Sequence, residues 1–154
     1  MPLTSSCGRL FDAASGILGV NSISQYEGQA AMQLESLVTH PTVLPNGWRL
    51  VGNDFNMLPT LHDLFDQDPI KGANLFHGTL IAGLAEWIIS TAKKMSMNTV
   101  LLSGGCFLNR VLTEGLMKRL SAQGLKPFLS QRVPCHDGGL SLGQAWIAGR
   151  MSIK

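Results

Sequence analysis

Apolar side chains recur every three or four residues through the first two-thirds of the chain, which is the spacing of one helix face. Over residues 8–19 this stripe predicts a helix that ends at Gly19. Similar stripes predict helices over 26–38 and 58–66, and the longest stripe predicts a single helix over 69–95. The amino-terminal part is therefore predicted to be largely helical.

Between the second and third of these stripes the helical spacing is broken. Pro41 and Pro45 interrupt it, and the Asn46–Gly47 dipeptide is a strong turn signal between two β-forming runs, TVL and WRLV. We therefore predict a small hairpin centred on Asn46 and Gly47.

The last third of the chain alternates short β-forming runs with helical stripes. Residues 98–105, NTVLLSGG, are rich in leucine and β-branched side chains and predict a buried parallel strand. A helix over 107–122, a second strand over 126–130 and a helix over 139–150 follow. This βαβα order predicts the α/β class, with helices packed on a small mixed sheet.

Length and composition narrow the class of protein. A chain of 154 residues predicts one domain over 1–154, and 45% apolar against 14% charged residues indicates a globular chain with some surface covered by other protein. A net charge of +2 without a basic patch argues against nucleic acid, and the apolar runs are too short to predict a membrane span. Three cysteines without a CxxC pair or a signal peptide favour the cytoplasm.

Two glycine pairs carry the candidate chemistry, in SGGCFLN (103–109) and DGGLSLG (137–143). Each is predicted where a strand ends and a helix begins, which is where open α/β sheets bind ligands. Gly104 and Gly105 suit a turn around a phosphate at a helix N-terminus, Asn109 suits a polar contact, and Asp137 suits a metal ion. The alternative is two ordinary tight turns, with Asn109 exposed and Asp137 capping the last helix.

Four blocks of the sequence, taken in order, resemble one known family. They are TSSCGRLFDAASGILGV (4–20), YEGQAAMQLE (26–35), LLSGGCFLNRVL (101–112) and VPCHDGGLSLGQA (133–145). Together they look like the carboxyl-terminal part of HypF-type carbamoyltransferases, the maturation factors of nickel–iron hydrogenases. The resemblance implies that the chain is half of an actin/Hsp70/sugar-kinase-like domain.

The resemblance also implies a reaction. The family makes carbamoyl-adenylate from carbamoyl phosphate and ATP, then transfers the carbamoyl group to the carboxyl-terminal cysteine of its partner, HypE. That group later becomes the cyanide ligand of the hydrogenase iron. A tRNA-modifying or antibiotic-carbamoylating member of the same superfamily is an alternative, although YEGQAA argues against the tRNA branch.

Site residues follow from the matched blocks. Asp12 matches the acid that contacts the ribose, and Asn109 matches a nucleotide contact. Asp137 matches a metal-binding carboxylate. The remaining matches line the nucleotide pocket or the phosphate-side turn: Glu27, Gly28, Gly104 and Gly105.

Two departures from the family pattern qualify these roles. Cys106 and Cys135 replace a small aliphatic residue and a proline, on turns expected to bring the two cysteines close together, as a reactive pair or as inert thiols. The His-x-x-x-His half of the family's metal site, and its earlier domains, do not occur in this sequence. We therefore expect weak metal and ATP binding by the chain alone, which needs the missing half of the catalytic domain or self-association. A truncated, catalytically incomplete binding module is the alternative.

Three further residues on helical stripes are interpreted as structural. His77 is predicted to be a partly buried polar side chain and not a ligand. Trp87 and Trp146 are predicted to be core anchors.

Overall fold

A computed structural model of the chain describes residues 5–151. Within that range it contains six helices, α1 (Cys7–Ile17), α2 (Gln29–Ser36), α3 (Leu58–Asp63), α4 (Pro69–Lys94), α5 (Arg110–Ala122) and α6 (Leu140–Met151). It also contains four strands, β1 (Arg49–Val51), β2 (Asp54–Asn56), β3 (Thr99–Leu102) and β4 (Lys126–Leu129). Every predicted helix is present, with ends that differ from the prediction by a few residues.

A β-hairpin is present, but the prediction of its position was wrong. Asn46 does turn, with φ of 58°, yet the TVL run before it is not a strand. The backbone N–H of Thr42 instead donates to the Asn74 carbonyl, and that of Leu44 to the Thr79 hydroxyl, both on α4. These donors are therefore not free to pair with another strand.

The true hairpin pairs β1 with β2. Arg49 lies opposite Asn56, and Val51 lies opposite Asp54. Gly52 is the first residue of the two-residue loop and has φ of +63°, a conformation that such loops favour.

The βαβα prediction was correct in topology. β3 and β4 pair in parallel, from Thr99 opposite Lys126 to Leu102 opposite Leu129, and α5 makes the crossover. The prediction of one mixed sheet was wrong, because β1–β2 and β3–β4 are separate two-stranded sheets. The class is nevertheless α/β, as predicted.

The burial predicted for β3 was also wrong. One face of the β3–β4 sheet packs with α4 and α5 through Leu102, which is buried, and through partly buried neighbours that include Val100 and Leu129. The other face is open, and Leu101 and Phe128 are 80% and 53% exposed. Parallel sheets are normally covered on both faces, so this open face is unusual.

Helix α4 is the centre of the fold. Asp68 caps it by accepting from the backbone N–H groups of Ile70 and Lys71, and most of its following four turns are buried. Helix α4 is long and apolar enough to span a membrane by length and composition alone, but 56% of its most apolar stretch is already buried in this protein. A core helix passes the same test.

Helix α6 contrasts with α4, since none of its described side chains is buried. Trp146, predicted as a core anchor, is 67% exposed, and the Arg150 guanidinium lies over its ring at 5.4 Å. That prediction was wrong, because in the described chain α6 has no second layer to pack against. Trp87 is partly buried and donates to the Asn53 carbonyl at 3.0 Å. The other large apolar side chains exposed on α6 are Leu140, Leu142, Ile147 and Met151.

Candidate functional site

The two glycine turns lie side by side, as the sequence predicted. Gly104 follows β3 with φ of +113° and ψ of 159°, a conformation that side chains rarely allow, and leads into a 3₁₀ turn over Gly105–Leu108. Its N–H donates to the Cys135 carbonyl, in the loop after β4, at 2.6 Å. This hydrogen bond joins the loops that follow the two parallel strands.

The N-terminus of α5 is not the open anion site that the sequence suggested. The Asn109 carboxamide oxygen accepts from Leu112 N at 2.8 Å. The Glu35 carboxylate, from α2, accepts from Arg110 N at 2.7 Å and Val111 N at 3.3 Å. The first-turn donors that would bind a phosphate are therefore already satisfied.

The backbone N–H groups that could still bind an anion lie in the 3₁₀ turn before α5. In the 3₁₀ turn the first internal hydrogen bond runs from Phe107 N to Gly104 O, so the N–H groups of Gly105 and Cys106 have no partner within the turn. Glu35, which caps α5 from α2, was not among the predicted site residues, although it lies in the YEGQAAMQLE block.

Asn109 is a buried cap and not an exposed side chain, with 6% of its surface accessible. Besides accepting from Leu112 N, its amide nitrogen lies 3.0 Å from His77 Nε2. Both ends of the carboxamide are thus engaged inside the protein. The exposed Asn109 of the alternative interpretation was wrong, and its direct contact with a nucleotide stays a prediction.

His77 explains how Asn109 is held. Its Nδ1 lies 2.9 Å from the Ala73 carbonyl, which can only accept, so Nδ1 carries the hydrogen and Nε2 accepts from Asn109. The ring is fully buried beside Phe11 and Phe76, at centroid distances of 5.6 and 5.5 Å. Burial lowers the pKa of His77 from 6.5 to about 4, although the hydrogen bond to Ala73 opposes the change.

His77 is therefore neutral at pH 7. From α4 it contacts Phe11 on α1 and Asn109 at the start of α5. It was expected to be partly buried, and it is completely buried. Its role in positioning Asn109 was missed, because the two residues lie 32 positions apart and nothing local connects them.

Asp12 lies on α1, near the first glycine turn. Its carboxylate pairs with Arg9 at 2.8 Å, and about a third of its side chain, 36%, is accessible. Both charges act on the Cys106 thiol in the 3₁₀ turn, which places Asp12 within electrostatic reach of that turn. The structure thus brings α1, which carries Asp12, into contact with the first glycine turn.

Glu27 and Gly28 begin α2. Gly28 is its N-cap residue, with φ of +81°, and Glu27 is exposed. The positive φ explains why glycine is used there. No described contact joins either residue to the glycine turns, so their place in the pocket stays a prediction.

Asp137 is exposed and begins a short 3₁₀ turn before α6. The residue that caps this turn is His136, whose Nδ1 accepts from Gly138 N at 3.2 Å. The capping of α6 itself by Asp137 stays a prediction. Among residues 5–151, no three His, Cys, Asp or Glu side chains are grouped to hold a metal ion. A metal ion at Asp137 would need ligands from elsewhere.

Cys7, and not Cys135, is the cysteine that affects the pKa of the Cys106 thiol. A hydrogen bond from Cys7 lowers the pKa of Cys106 to about 7, against the opposing effect of burial. The same bond and burial raise the pKa of Cys7. Cys135 approaches the turn through its backbone carbonyl, so the proximity predicted for the loops was correct, and both Cys106 and Cys135 are free thiols.

Comparison with known proteins decides the family. Residues 1–144 match a family described as the carbamoyltransferase, Kae1-like domain, second subdomain. The chain belongs to this family. The HypF carbamoyltransferase of Rhizobium leguminosarum bv. viciae is 46% identical over 99% of the chain, and HypF2 of Cupriavidus necator is 39% identical over 96%.

The fold comparison agrees. A crystal structure of full-length HypF in its phosphate- and nucleotide-bound form superimposes with a TM-score of 0.84 at 34% identity, over 96% of this chain. The chain spans about a fifth of these HypF proteins, namely 21%, 22% and 20% of their lengths. The resemblance to HypF is confirmed, and the wider actin/Hsp70/sugar-kinase assignment stays a prediction.

Proposed function

We propose that this chain supplies one wall of the nucleotide and phosphate site of a HypF-type carbamoyltransferase. The assembled enzyme uses carbamoyl phosphate and ATP to form carbamoyl-adenylate. It then carbamoylates the carboxyl-terminal cysteine of a HypE-like acceptor, for the cyanide ligand of [NiFe]-hydrogenase. The observation that carries the proposal is the pair of glycine turns joined by the Gly104–Cys135 hydrogen bond, in a chain that belongs to the HypF family.

The geometry supports specific roles. Gly105 and Cys106 present backbone N–H groups to a phosphate, and the left-handed Gly104 lets the backbone approach it closely. Asp12, at the edge of the same turn, accepts from the ribose hydroxyls of ATP. The crystal structure of full-length HypF is of a phosphate- and nucleotide-bound form, which favours this use of the turn.

We assign Asn109 the role of positioning the end of the first glycine turn. Its carboxamide is held by Leu112 and His77, so it fixes the end of the turn and leaves only one amide hydrogen for a nucleotide. Glu27 and Gly28 remain candidates for the pocket wall. Asp137 is proposed to bind a divalent cation together with ligands from outside the residues described here.

A complementary subdomain is the proposed partner. The open face of the β3–β4 sheet, with Leu101 and Phe128, and the uncovered apolar side of α6, with Trp146 and Ile147, are large apolar surfaces. The matched family is a second subdomain, so the first subdomain of the same domain is the occupant that fits these surfaces. A reaction in the cytoplasm, without nucleic acid or membrane, is part of the proposal.

A second candidate is a catalytically incomplete homologue that acts as a binding module. The observation that favours it is the absence of a metal-ligand group among residues 5–151. Such a module would bind its partner subdomain without turnover.

Reconstitution separates the two candidates. The Rhizobium HypF, shortened by the segment that this chain matches, is mixed with the chain, a HypE-like acceptor, carbamoyl phosphate and ATP. We expect acceptor-dependent AMP formation only when both pieces are present, and loss of this activity in Asp12→Ala but not in Asp54→Ala, an exposed carboxylate on the hairpin. A complex that forms without turnover would favour the binding module, and self-association without a complex would refute the proposed partner.

A further inference from the structure

The N-terminus of α5 takes a hydrogen-bond acceptor from a distant helix. Glu35, near the end of α2, accepts from Arg110 N at 2.7 Å and from Val111 N at 3.3 Å, both through Oε1. Glu35 and Arg110 are 75 positions apart in the sequence. None of the roles proposed for the nucleotide site involves this contact.

Helix α5 already has a local cap without Glu35. The Asn109 side chain accepts from Leu112 N at 2.8 Å, and the Asn109 backbone carbonyl accepts from Thr113 N at 3.0 Å. With Glu35 added, each of the first four N–H groups of α5 has an acceptor. The N-cap residues of α1, α2 and α3 make no side-chain cap hydrogen bond, so helices in this protein form without such complete capping.

The charge of the Glu35 carboxylate acts on this helix end alone. The ion pairs among the described residues join Arg9 to Asp12 and Arg110 to Glu114, so none of them neutralises Glu35. A carboxylate that accepts from N-terminal N–H groups takes the position, and supplies the negative charge, of a bound phosphate. Glu35 is therefore a built-in anion at the start of α5.

Two sets of backbone N–H groups follow β3, and Glu35 closes only the second. In the 3₁₀ turn over Gly105–Leu108, the N–H groups of Gly105 and Cys106 have no partner within the turn. The second set, at Arg110 and Val111, would attract the same phosphate through the helix dipole if it were open.

We propose that Glu35 is a positioning residue for the substrate phosphate, because it closes the N-terminus of α5 and leaves the first glycine turn as the one open position. The inference rests on the proposed function, since it selects between two neighbouring positions for that site's phosphate. Without Glu35 the phosphate also binds at α5, displaced from its reacting position. Binding then persists while turnover falls, because only one of the two positions is productive.

Titration of inorganic phosphate into the isotope-labelled 154-residue chain, followed by its backbone amide resonances, tests the closure of α5 without turnover. In the wild type the amides of Arg110 and Val111 should show no saturable shift. In Glu35→Ala they should shift, whereas Glu35→Gln, which keeps an acceptor oxygen, should resemble the wild type. Glu35→Asp, with a shorter reach to the same donors, serves if the alanine variant does not fold. Saturable shifts of these amides in the wild type, or none in Glu35→Ala, would overturn the proposal.

Turnover tests the positioning itself, in the chain reconstituted with the shortened Rhizobium HypF. In Glu35→Ala we expect kcat to fall at least about tenfold while KM for ATP changes less than about twofold, and we expect Glu35→Gln to retain most of kcat. Asp68→Ala is the matched control, because Asp68 also accepts from two N–H groups at the start of a helix, α4. It should change neither constant.

The outcomes keep the two proposals apart. Equal losses of kcat in Asp68→Ala and Glu35→Ala would show that Glu35 only stabilises the fold. Equal losses in Glu35→Gln and Glu35→Ala would show that occupying the N–H groups is not what matters, and a raised KM with unchanged kcat would show a role in binding alone. Each of these results overturns the inference. Absence of turnover with the wild-type chain would instead refute the proposed function, and the phosphate titration would still decide whether Glu35 closes α5.

Discussion

Acidification should destabilise this chain through one buried imidazole. His77 is fully buried, and its pKa falls from 6.5 to about 4 because burial disfavours the charged ring. The unfolded chain takes up a proton near the ordinary pKa, while the folded chain resists protonation until pH approaches 4. The contribution of His77 to stability is therefore complete above about pH 6.5 and is lost as the pH falls towards 4.

The magnitude follows from linkage. One pKa unit corresponds to about 1.4 kcal/mol, so the full effect of His77 is about 3 kcal/mol. Between about pH 7.5 and about pH 5 the expected loss in the free energy of unfolding is about 2 kcal/mol. This window ends before most carboxylates of the unfolded chain are protonated, which keeps the effect of His77 separate.

Urea unfolding followed by circular dichroism measures this loss at several pH values. His77→Gln keeps an acceptor for Asn109 but removes the titrating ring, so it should be less stable at about pH 7.5 and should lose most of the pH dependence. His40→Gln, an exposed position, should retain the full dependence. A wild-type free energy of unfolding that is unchanged between these pH values, or an unaltered slope in His77→Gln, would refute the reasoning.

Three further substitutions test the packing by the same unfolding measurement. Asn109→Ala removes the cap of α5 and leaves a buried ring nitrogen without its donor, so we expect a loss of about 3 kcal/mol; a loss under about 1 kcal/mol would contradict this role. Gly78→Ala places a methyl group 2.1 Å from the Thr42 carbonyl oxygen and should cost about 3 kcal/mol, whereas Gly149→Ala, in open space, should cost nothing. Equal stability of the two alanine variants would refute that close approach. Asp68→Ala should cost about 1 kcal/mol through the lost cap of α4, and an unchanged midpoint would show that the cap is dispensable.

Local pattern was sufficient for most of the fold. Helical spacing located all six helices of residues 5–151, and the two glycine turns were correctly placed after parallel strands. These features depend on neighbours a few residues apart, which a sequence shows directly. The TVL run failed as a strand because its donors bond to α4, some 35 residues away.

The site was less predictable, since it depends on contacts between distant residues. Asp12 was found through the resemblance to HypF and the glycine turns through the residue pattern, and the structure brings α1, which carries Asp12, into contact with the first of these turns. The His77–Asn109 bond and the Glu35 cap join residues 32 or more positions apart, and no local sequence pattern predicts them.

Exposure was misjudged for the same reason. Trp146 and Leu101 lie in strongly apolar segments, which are typical of a buried core. Both side chains are nevertheless exposed, because no described residue covers them. An apolar pattern predicts that a surface is buried, but it does not identify the part of a protein that covers the surface.

Calorimetric titration of ATP into this chain bound to a HypF first subdomain tests the central claim most directly. We expect ATP binding that the isolated chain lacks, with an affinity at least about tenfold weaker in Asp12→Ala and unchanged in Asp54→Ala. Equal ATP affinity in the wild type and in Asp12→Ala, within an intact complex, would contradict it.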